Sequence, residues 1–199
     1  MVMSEAITAE VETMLAIPGA VPPAESGALL LEEDLLRVGR NDGEAFCRLY
    51  EQTKGSVYAY AFSFLRDHSE AEDVMQDVYL KVRAAAHLYR PQGKPLAWML
   101  TITANLCRMR MRQNRHRSDA EPIAVAPDWG RIEDVGDRLA LQAAMNALSE
   151  EEYRIVVLHA VSGFKHREIA SFLDIPLSTV LSKYRRALKK LRQELEGSR

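Results

Sequence analysis

The chain has 199 residues, a formal net charge of -2 and 47% apolar residues, so it is too apolar for a disordered protein and long enough for one or two domains. Two cysteines, Cys47 and Cys107, exclude a disulfide scaffold and a cysteine-built zinc site. No apolar run reaches the ~20 residues of a membrane helix, and the acidic N-terminus does not resemble a secretory signal. These features predict a cytoplasmic protein with no direct membrane insertion.

The small net charge conceals an uneven distribution along the chain. Residues 1–53 carry -7 and residues 118–149 carry -4, whereas the blocks that follow them carry +6 and +3. Five arginines fall without an acid in residues 108–117, and six lysines and arginines do so in residues 183–192. Charges act within a Debye length of ~8 Å at physiological salt, so two basic helices can bind phosphates despite the neutral sum. Charge alone is equally consistent with two solvated helix faces.

The N-terminal half is predicted to be helical after a flexible start. Prolines and glycines predict a loose extension over residues 1–33, with a brief helix near Ala9–Ala16. The capping signal at 41–43 predicts a first helix, and the apolar residues of 57–65 a second. Apolar residues at helical spacing across 71–82 predict a third helix, whose other face is acidic and polar.

A loop over residues 87–95 separates this helix from a fourth, which is predicted from about Leu96 to Arg117 with Trp98, Ile102 and Leu106 facing the core. Residues 118–135 hold two prolines, a glycine and five acids, and lack apolar periodicity. Such a segment cannot bury enough apolar surface to order itself, so it is predicted to be a flexible acidic linker.

The C-terminal part has the pattern of a helix-turn-helix. A helix capped by Ser149 precedes a short helix over Lys165–Leu173, a break at residues 174–176 and a long helix to about Leu195. Hydroxyl and cationic side chains lie in the first half of the long helix, where a DNA major groove requires them. A plain helical hairpin is the alternative.

No enzyme site emerges from the sequence. The five histidines are scattered, and only His159 and His166 lie close together in the sequence. No glycine-rich phosphate loop occurs, and neither a cofactor nor a metal is predicted.

Five segments, in a consistent order, resemble known motifs. AEDVMQDVYLKV at 71–82 resembles AEDLVQEVFLKVW, and PLAWMLTITANL at 95–106 resembles WLxxIARN. Residues 146–154 resemble LPxxxR, residues 166–170 resemble YxEIA, and residues 178–188 resemble GTVKSRLxRAR. These are motifs of the bacterial RNA polymerase sigma factors of the sigma-70 family, in the extracytoplasmic-function (ECF) subgroup.

The resemblance implies an all-α protein with two small helical domains. Region 2 is expected over residues 34–117 and region 4, with its helix-turn-helix, over 136–195, joined by the flexible linker 118–135 and followed by a tail at 196–199. Such a factor binds core RNA polymerase, recognises and melts promoter DNA, and starts transcription without catalytic chemistry or a small-molecule substrate of its own. The subgroup also implies an anti-sigma factor as a partner.

The resemblance assigns side chains to three tasks. Polymerase binding is expected from Asp73, Gln76 and Asp77 on the third helix. Contact with the melted minus-ten element is expected from Tyr89, Arg90, Asn105, Arg108, Arg112 and Arg115. Contact with the minus-thirty-five duplex is expected from Ser178, Thr179, Ser182, Lys183, Arg185 and Arg186. Tyr89 is either a stacking surface for a flipped base or a loop anchor, whereas Trp98 is expected in the core.

Three positions depart from the family pattern, and two other functions stay open. Ser178 replaces a usual glycine, Leu181 a usual basic residue, and Met109 a common aspartate. These changes bear on the promoter sequence and leave the class intact. The alternatives are a stand-alone helix-turn-helix regulator that binds DNA as a dimer and a sigma mimic that binds only a regulator.

Overall fold

The computed structural model describes residues 25–114, 141 and 143–197, which divide into two compact units. Both are built from helices, and no strand occurs in these ranges, as the all-α prediction requires. The first unit comprises α1 (Glu25–Val38), α2 (Gly43–Leu65), α3 (His68–Ala85) and α4 (Pro95–Asn114). The second comprises a short helical segment ending at 146, then α5 (Glu150–Val156), α6 (His166–Leu173) and α7 (Leu177–Gly197).

Helix α1 begins at Glu25, before the domain boundary predicted at residue 34. Leu31, Leu35 and Val38 lie at i, i+4 and i+7 and are buried, so this face of the helix belongs to the core of the first unit. Part of the segment interpreted as a flexible extension is therefore an integral helix. The brief helix predicted near Ala9–Ala16 lies outside the described residues.

Helix α2 is one helix where the sequence predicts two. Asp42 caps it as expected, its carboxylate accepting a hydrogen bond from the Ala45 amide at 3.0 Å. The helix continues through Gly55 to Leu65 without a break. A glycine inside a helix costs about 1 kcal/mol, which the burial of Thr53 and Val57 on either side offsets.

Helix α3 matches its predicted pattern. Asp67 caps it by accepting a hydrogen bond from the Glu70 amide at 2.9 Å. Its apolar stripe is buried at Ala71, Val74, Val78 and Val82. The acidic and polar residues between these positions are exposed on the opposite face.

Helix α4 is present, but its core face differs from the prediction. Met99, Leu100 and Cys107 are fully buried, together with the hydroxyl of Thr103, which donates to the Met99 carbonyl at 3.0 Å. Leu106 is buried as predicted, whereas Trp98 and Ile102 are only half-buried. The helix is only weakly amphipathic because α1, α2 and α3 all pack against it, so its apolar residues do not reveal a single inward face.

The second unit contains the predicted helix-turn-helix. Ser149 caps α5 in a reciprocal capping box with Glu152. A π-helical turn at Val157–Val161 follows, and the break between α6 and α7 is residues 174–176, with Asp174 in the left-handed region at φ 54°. Ile169 of α6 is fully buried, whereas Ala170 and Leu173 on the same helix are half-buried.

The long helix α7 packs through one stripe. Val180, Tyr184, Ala187 and Leu191 lie at i, i+4, i+7 and i+11 and are buried. This stripe orients the rest of the helix, since the residues on its far side must face solvent.

Candidate nucleic-acid and polymerase interfaces

One face of α3 presents an exposed row at i, i+3, i+4 and i+7. Asp73, Gln76 and Asp77 lie in this row as predicted, and its last member is Leu80, whose exposed fraction is 69%. Sequence reasoning missed Leu80, although its spacing from the three polar residues was visible. An exposed large apolar side chain among acids is a feature typical of a binding surface.

Arg110 of the arginine cluster is used inside the first unit. Its Nε lies 3.1 Å from Glu70 Oε2, and its Nη2 lies 3.5 Å from Asp73 Oδ2. The side chain therefore ties α4 to α3. It also neutralises part of the acidic face on α3, so Asp77 is the acid of that row that forms no ion pair among the described residues.

A cavity of about 380 Å³ lies between the loop before α4 and the first turns of α4. Its volume is within the ~300–1,000 Å³ range of small-ligand pockets. The lining combines aromatic, cationic and amide side chains: Leu88, Tyr89, Arg90, Gln92, Lys94, Ala97, Trp98 and Thr101. An aromatic wall with polar and cationic groups at its rim suits a planar base joined to a phosphate.

Tyr89 is more buried than Trp98, although Trp98 was the residue expected in the core. Tyr89 is only 8% exposed, and its hydroxyl donates to Glu32 Oε1 at 2.7 Å, which favours the loop-anchor interpretation. Trp98 packs against it edge-on, with ring centroids 5.4 Å apart, and retains more exposed surface. Trp98 thus lines the cavity and is not a core residue. The ring of Tyr89 packs against the ring of Trp98.

An exposed strip on α4 leads away from the cavity. Thr101 lines the cavity, and Asn105, Arg108 and Arg112 follow on the same face. Arg108 Nη1 donates to Asn105 Oδ1 at 3.2 Å, and Arg112 Nε donates to the Arg108 carbonyl at 3.2 Å. At 1.5 Å per residue the strip from Trp98 to Arg112 is about 21 Å long. Three predicted residues therefore share one surface.

Of the two other residues predicted for the melted strand, only Arg90 lies in the described part of the chain. Arg90 is exposed and lines the cavity, so it lies at the start of this strip. Arg115 lies outside the described residues.

The outward face of α7 gathers four of its six predicted residues. Ser178, Ser182, Arg185 and Arg186 are exposed opposite the buried stripe. The Arg186 guanidinium folds back over one turn, where its Nε donates to the Ser182 carbonyl at 3.4 Å. Lys189, also exposed, extends this face by one turn.

Thr179 and Lys183 lie instead on the flank of α7 that faces α5. Lys183 Nζ forms an ion pair with Glu151, and the hydrogen bond from this lysine lowers the pKa of the Glu151 carboxyl. Two turns further, Lys190 Nζ lies 2.7 Å from Glu152 Oε2. Burial of Glu152 opposes its ionisation, but the hydrogen bonds from Lys190 and Ser149 hold its pKa below the usual value. These pairs attach α7 to the capped start of α5.

The two neighbouring histidines meet in the second unit as packing groups. The rings of His159 and His166 lie 4.2 Å apart, and both contact Tyr184 of α7. His159 Nδ1 donates to the Phe164 carbonyl at 2.8 Å. Burial, and then the neighbouring His159, lower the pKa of His166.

Two features are absent from the described residues. Among them, no three His, Cys, Asp or Glu side chains come together in a metal-binding arrangement. None of the helices described above combines the length and apolar character needed to span a bilayer.

Comparison with known proteins identifies the family. Residues 49–117 match the Sigma-70 region 2 family, and residues 138–191 match the Sigma-70, region 4 family. The chain is 30% identical over 187 residues to the ECF RNA polymerase sigma factor SigK of Mycobacterium ulcerans, covering 89% of this chain and 98% of the relative. The chain belongs to the ECF sigma factors of the sigma-70 family.

Other comparisons agree with this membership. SigK of Mycolicibacterium vanbaalenii is 29% identical over 172 residues, covering 82% of this sigma factor and 88% of the relative. The solved sigma factor RpoE of Bartonella quintana, in complex with the anti-sigma factor NepR, is 25% identical with a TM-score of 0.63, covering 77% of this chain and 98% of that one. The protein is therefore a promoter-recognition factor of RNA polymerase, a family of initiation factors rather than enzymes, and the stand-alone regulator is not favoured.

Proposed function

We propose that this ECF sigma factor divides initiation among the three surfaces described above. The α3 row binds core RNA polymerase, the α4 strip and its cavity hold the melted minus-ten strand, and the outward face of α7 reads the minus-thirty-five duplex. The observation that carries this proposal is the continuous path on α4 from an aromatic cavity to exposed arginines. Bacterial core polymerase is a cytoplasmic enzyme, so the cytoplasm is the proposed place of action.

The α4 strip suits a single strand rather than a duplex. Stacking of a base on an aromatic side chain stabilises binding by about 1–3 kcal/mol, and Trp98 offers such a surface only to a base that has left the duplex. Asn105 can pair with the edge of an unstacked base, and the guanidinium groups of Arg108 and Arg112 can hold successive phosphates. Base capture and backbone attraction together would stabilise the open strand.

The α7 face suits a duplex. A helix fits the major groove of B-DNA, where hydroxyl and guanidinium groups reach base edges and phosphates. Ser178, Ser182, Arg185 and Arg186 provide these groups on one exposed surface. Leu181 is half-buried beside them. Because leucine stands where the family usually has a basic residue, this edge of the groove-binding face offers an apolar contact instead of a cationic one.

An anti-sigma factor is the proposed regulator. The Bartonella quintana RpoE structure, a relative in fold and sequence, holds the anti-sigma factor NepR. The proposed polymerase-binding and DNA-binding surfaces of this chain are exposed. A protein bound over these surfaces would therefore prevent polymerase and DNA from binding to them.

The proposed function is tested by reconstitution with purified core polymerase. We expect the chain to bind core enzyme and to support run-off transcription from duplexes that the holoenzyme itself selects from a randomised library. Core enzyme alone is the control. Binding of the chain to the same duplexes without any effect on transcription would contradict the assignment and favour a stand-alone regulator.

The ion pair between Lys183 and Glu151 leads to a prediction about DNA affinity. We expect Glu151→Gln to release Lys183 for a phosphate and to raise duplex affinity about three- to fivefold at low salt, since exposed ion pairs are worth at most ~1 kcal/mol. The slope of log affinity against log salt should steepen by about 0.9, the value for one added phosphate contact.

The matched control is Glu150→Gln. It removes the same charge from the same turn, but Glu150 pairs with Arg154 inside α5 at 3.0 Å. Equal affinity gains in both variants would show a general loss of acidity, and the role assigned to Glu151 would then be wrong.

A further inference from the structure

One carboxylate oxygen of Glu32, on α1, accepts three hydrogen bonds from the loop that lines the cavity. Glu32 Oε1 accepts from the Tyr89 hydroxyl at 2.7 Å, from the Gln92 amide at 3.0 Å and from the Gly93 amide at 2.8 Å. The donors lie 57 to 61 residues away in the sequence. Hydrogen bonds to an ionised acceptor are about twice as strong as neutral ones. The hydrogen bond from Tyr89 is the main reason why the pKa of Glu32 lies below its usual value, so the carboxylate form is the one that binds the loop.

The end of α1 holds the start of the same loop. At Gly39 an added Cβ would lie 3.0 Å from the backbone of Ala86 and His87, so any other residue would press on the start of this loop. Glu32 then binds the loop further along. The loop begins with a 3₁₀ turn at Ala86–Leu88 and is irregular beyond it, with Gly93 in the left-handed region at φ 68°. Helix α1 and the glycine that follows it therefore contact both the beginning and the end of the loop.

The loop that Glu32 binds forms part of the cavity lining. Tyr89, Arg90, Gln92 and Lys94 of the loop form one side, and Ala97, Trp98 and Thr101 of α4 form the other. Burial, and then the hydrogen bond to Glu32, raise the pKa of Tyr89 to about 12, so its hydroxyl stays a donor at any physiological pH. Tyr89 in turn packs against Trp98. The position of the loop wall relative to Trp98 thus depends on a side chain of α1.

We propose that Glu32 is a positioning residue for capture of the flipped minus-ten base, acting through Tyr89 and the amides of Gln92 and Gly93. This inference rests on the proposed function of the cavity. It assigns to α1, which lies before the Sigma-70 region 2 match at residues 49–117, a part in single-strand recognition. Glu32 does not line the cavity and has no direct contact with DNA in this role.

The test compares Glu32→Gln and Glu32→Ala with Glu33→Gln. Glu33 is the exposed neighbour on α1, so its substitution removes the same charge without touching the loop. Each full-length chain is combined with core polymerase and used to capture strands from a randomised single-stranded DNA pool, which is then sequenced. Amide hydrogen exchange of the loop is measured in the same chains. Trp98→Ala is included to test the cavity itself.

We expect the wild type and Glu33→Gln to enrich one base at one position. Glu32→Gln should lower that enrichment about tenfold and speed exchange at the amides of 92 and 93 by a similar factor, because a neutral acceptor bonds more weakly. The salt dependence of strand binding and the affinity for core polymerase should not change, since the arginines and the α3 row are untouched. General unfolding would alter all of these readouts together, and Glu32→Gln decides the matter if Glu32→Ala fails to fold.

The outcomes separate the two proposals. If Trp98→Ala removes the enrichment but Glu32→Gln leaves it at the wild-type level, the cavity binds a base and the role of Glu32 is wrong. If the wild type enriches no base at any position, the cavity itself is misassigned, and the inference about Glu32 is overturned with it.

Discussion

The substitution Arg186→Ala is expected to lower initiation at promoters selected by the wild-type holoenzyme by about 10- to 100-fold. Arg186 is exposed on the outward face of α7, beside Ser182 and Arg185. A bidentate contact of arginine with a base is worth about 1–3 kcal/mol, and 1.4 kcal/mol corresponds to a factor of ten. The loss should be seen in run-off transcription and in the affinity of the holoenzyme for the duplex.

Arg192→Ala is the matched control for this effect. It removes one positive charge from the same helix, but Arg192 pairs with Glu196 at 2.7 Å two turns beyond the proposed contact. It should change initiation by less than about threefold, the scale of one exposed charge. If Arg186→Ala initiates as well as the control does, the groove-binding face has been placed on the wrong side of α7. If its loss is equal for every duplex sequence, Arg186 binds phosphate rather than a base.

The substitution Asp77→Lys is expected to weaken binding to core polymerase by about a hundredfold. Placing like charges opposite one another in an interface costs several kcal/mol, and an acidic row is expected to face a basic surface of the polymerase. Asp77 is better suited to this test than Asp73, because Asp73 already forms an ion pair with Arg110 and its substitution would also disturb the contact between α3 and α4. Titration of labelled chain with core enzyme measures the effect.

Glu72→Lys is the control for the α3 row. Glu72 is exposed on the same helix and undergoes the same change of charge, but it lies at the margin of the exposed face, one turn before Gln76 and far round the helix from Asp77. It should retain binding within about threefold of wild type. Equal losses in both variants would indicate long-range repulsion by the polymerase rather than contact through this row, whereas wild-type binding by Asp77→Lys would remove the row from the interface.

The sequence by itself predicted those features that depend on neighbours a few residues apart. The caps at Asp42 and Ser149, the exposed row on α3 and the break at residues 174–176 all follow from spacing within one or two helical turns. Periodicity reports such local geometry directly, because residues three and four apart share a helix face. The polar side of α3 and the helix-turn-helix could therefore be predicted, and their structures confirm the patterns.

Features that depend on how helices cross were decided only by the tertiary structure. The greater burial of Tyr89 than of Trp98, and the use of Arg110 within the first unit, could not be seen in any one helix. Helix α4 shows this most clearly, because three helices pack against it and obscure its inward face.

The same limit explains why Glu32 was assigned to a flexible extension. Its partners are loop amides and a hydroxyl far along the chain, and no local pattern indicates which distant groups a carboxylate will meet. Lys183 is a second case, since the resemblance placed it among the DNA contacts, whereas in the structure it forms an ion pair with Glu151 of α5 on the flank of α7. Helix periodicity determined which residues are exposed, and the packing of helices distant in sequence determined which exposed charges remain available for polymerase and DNA.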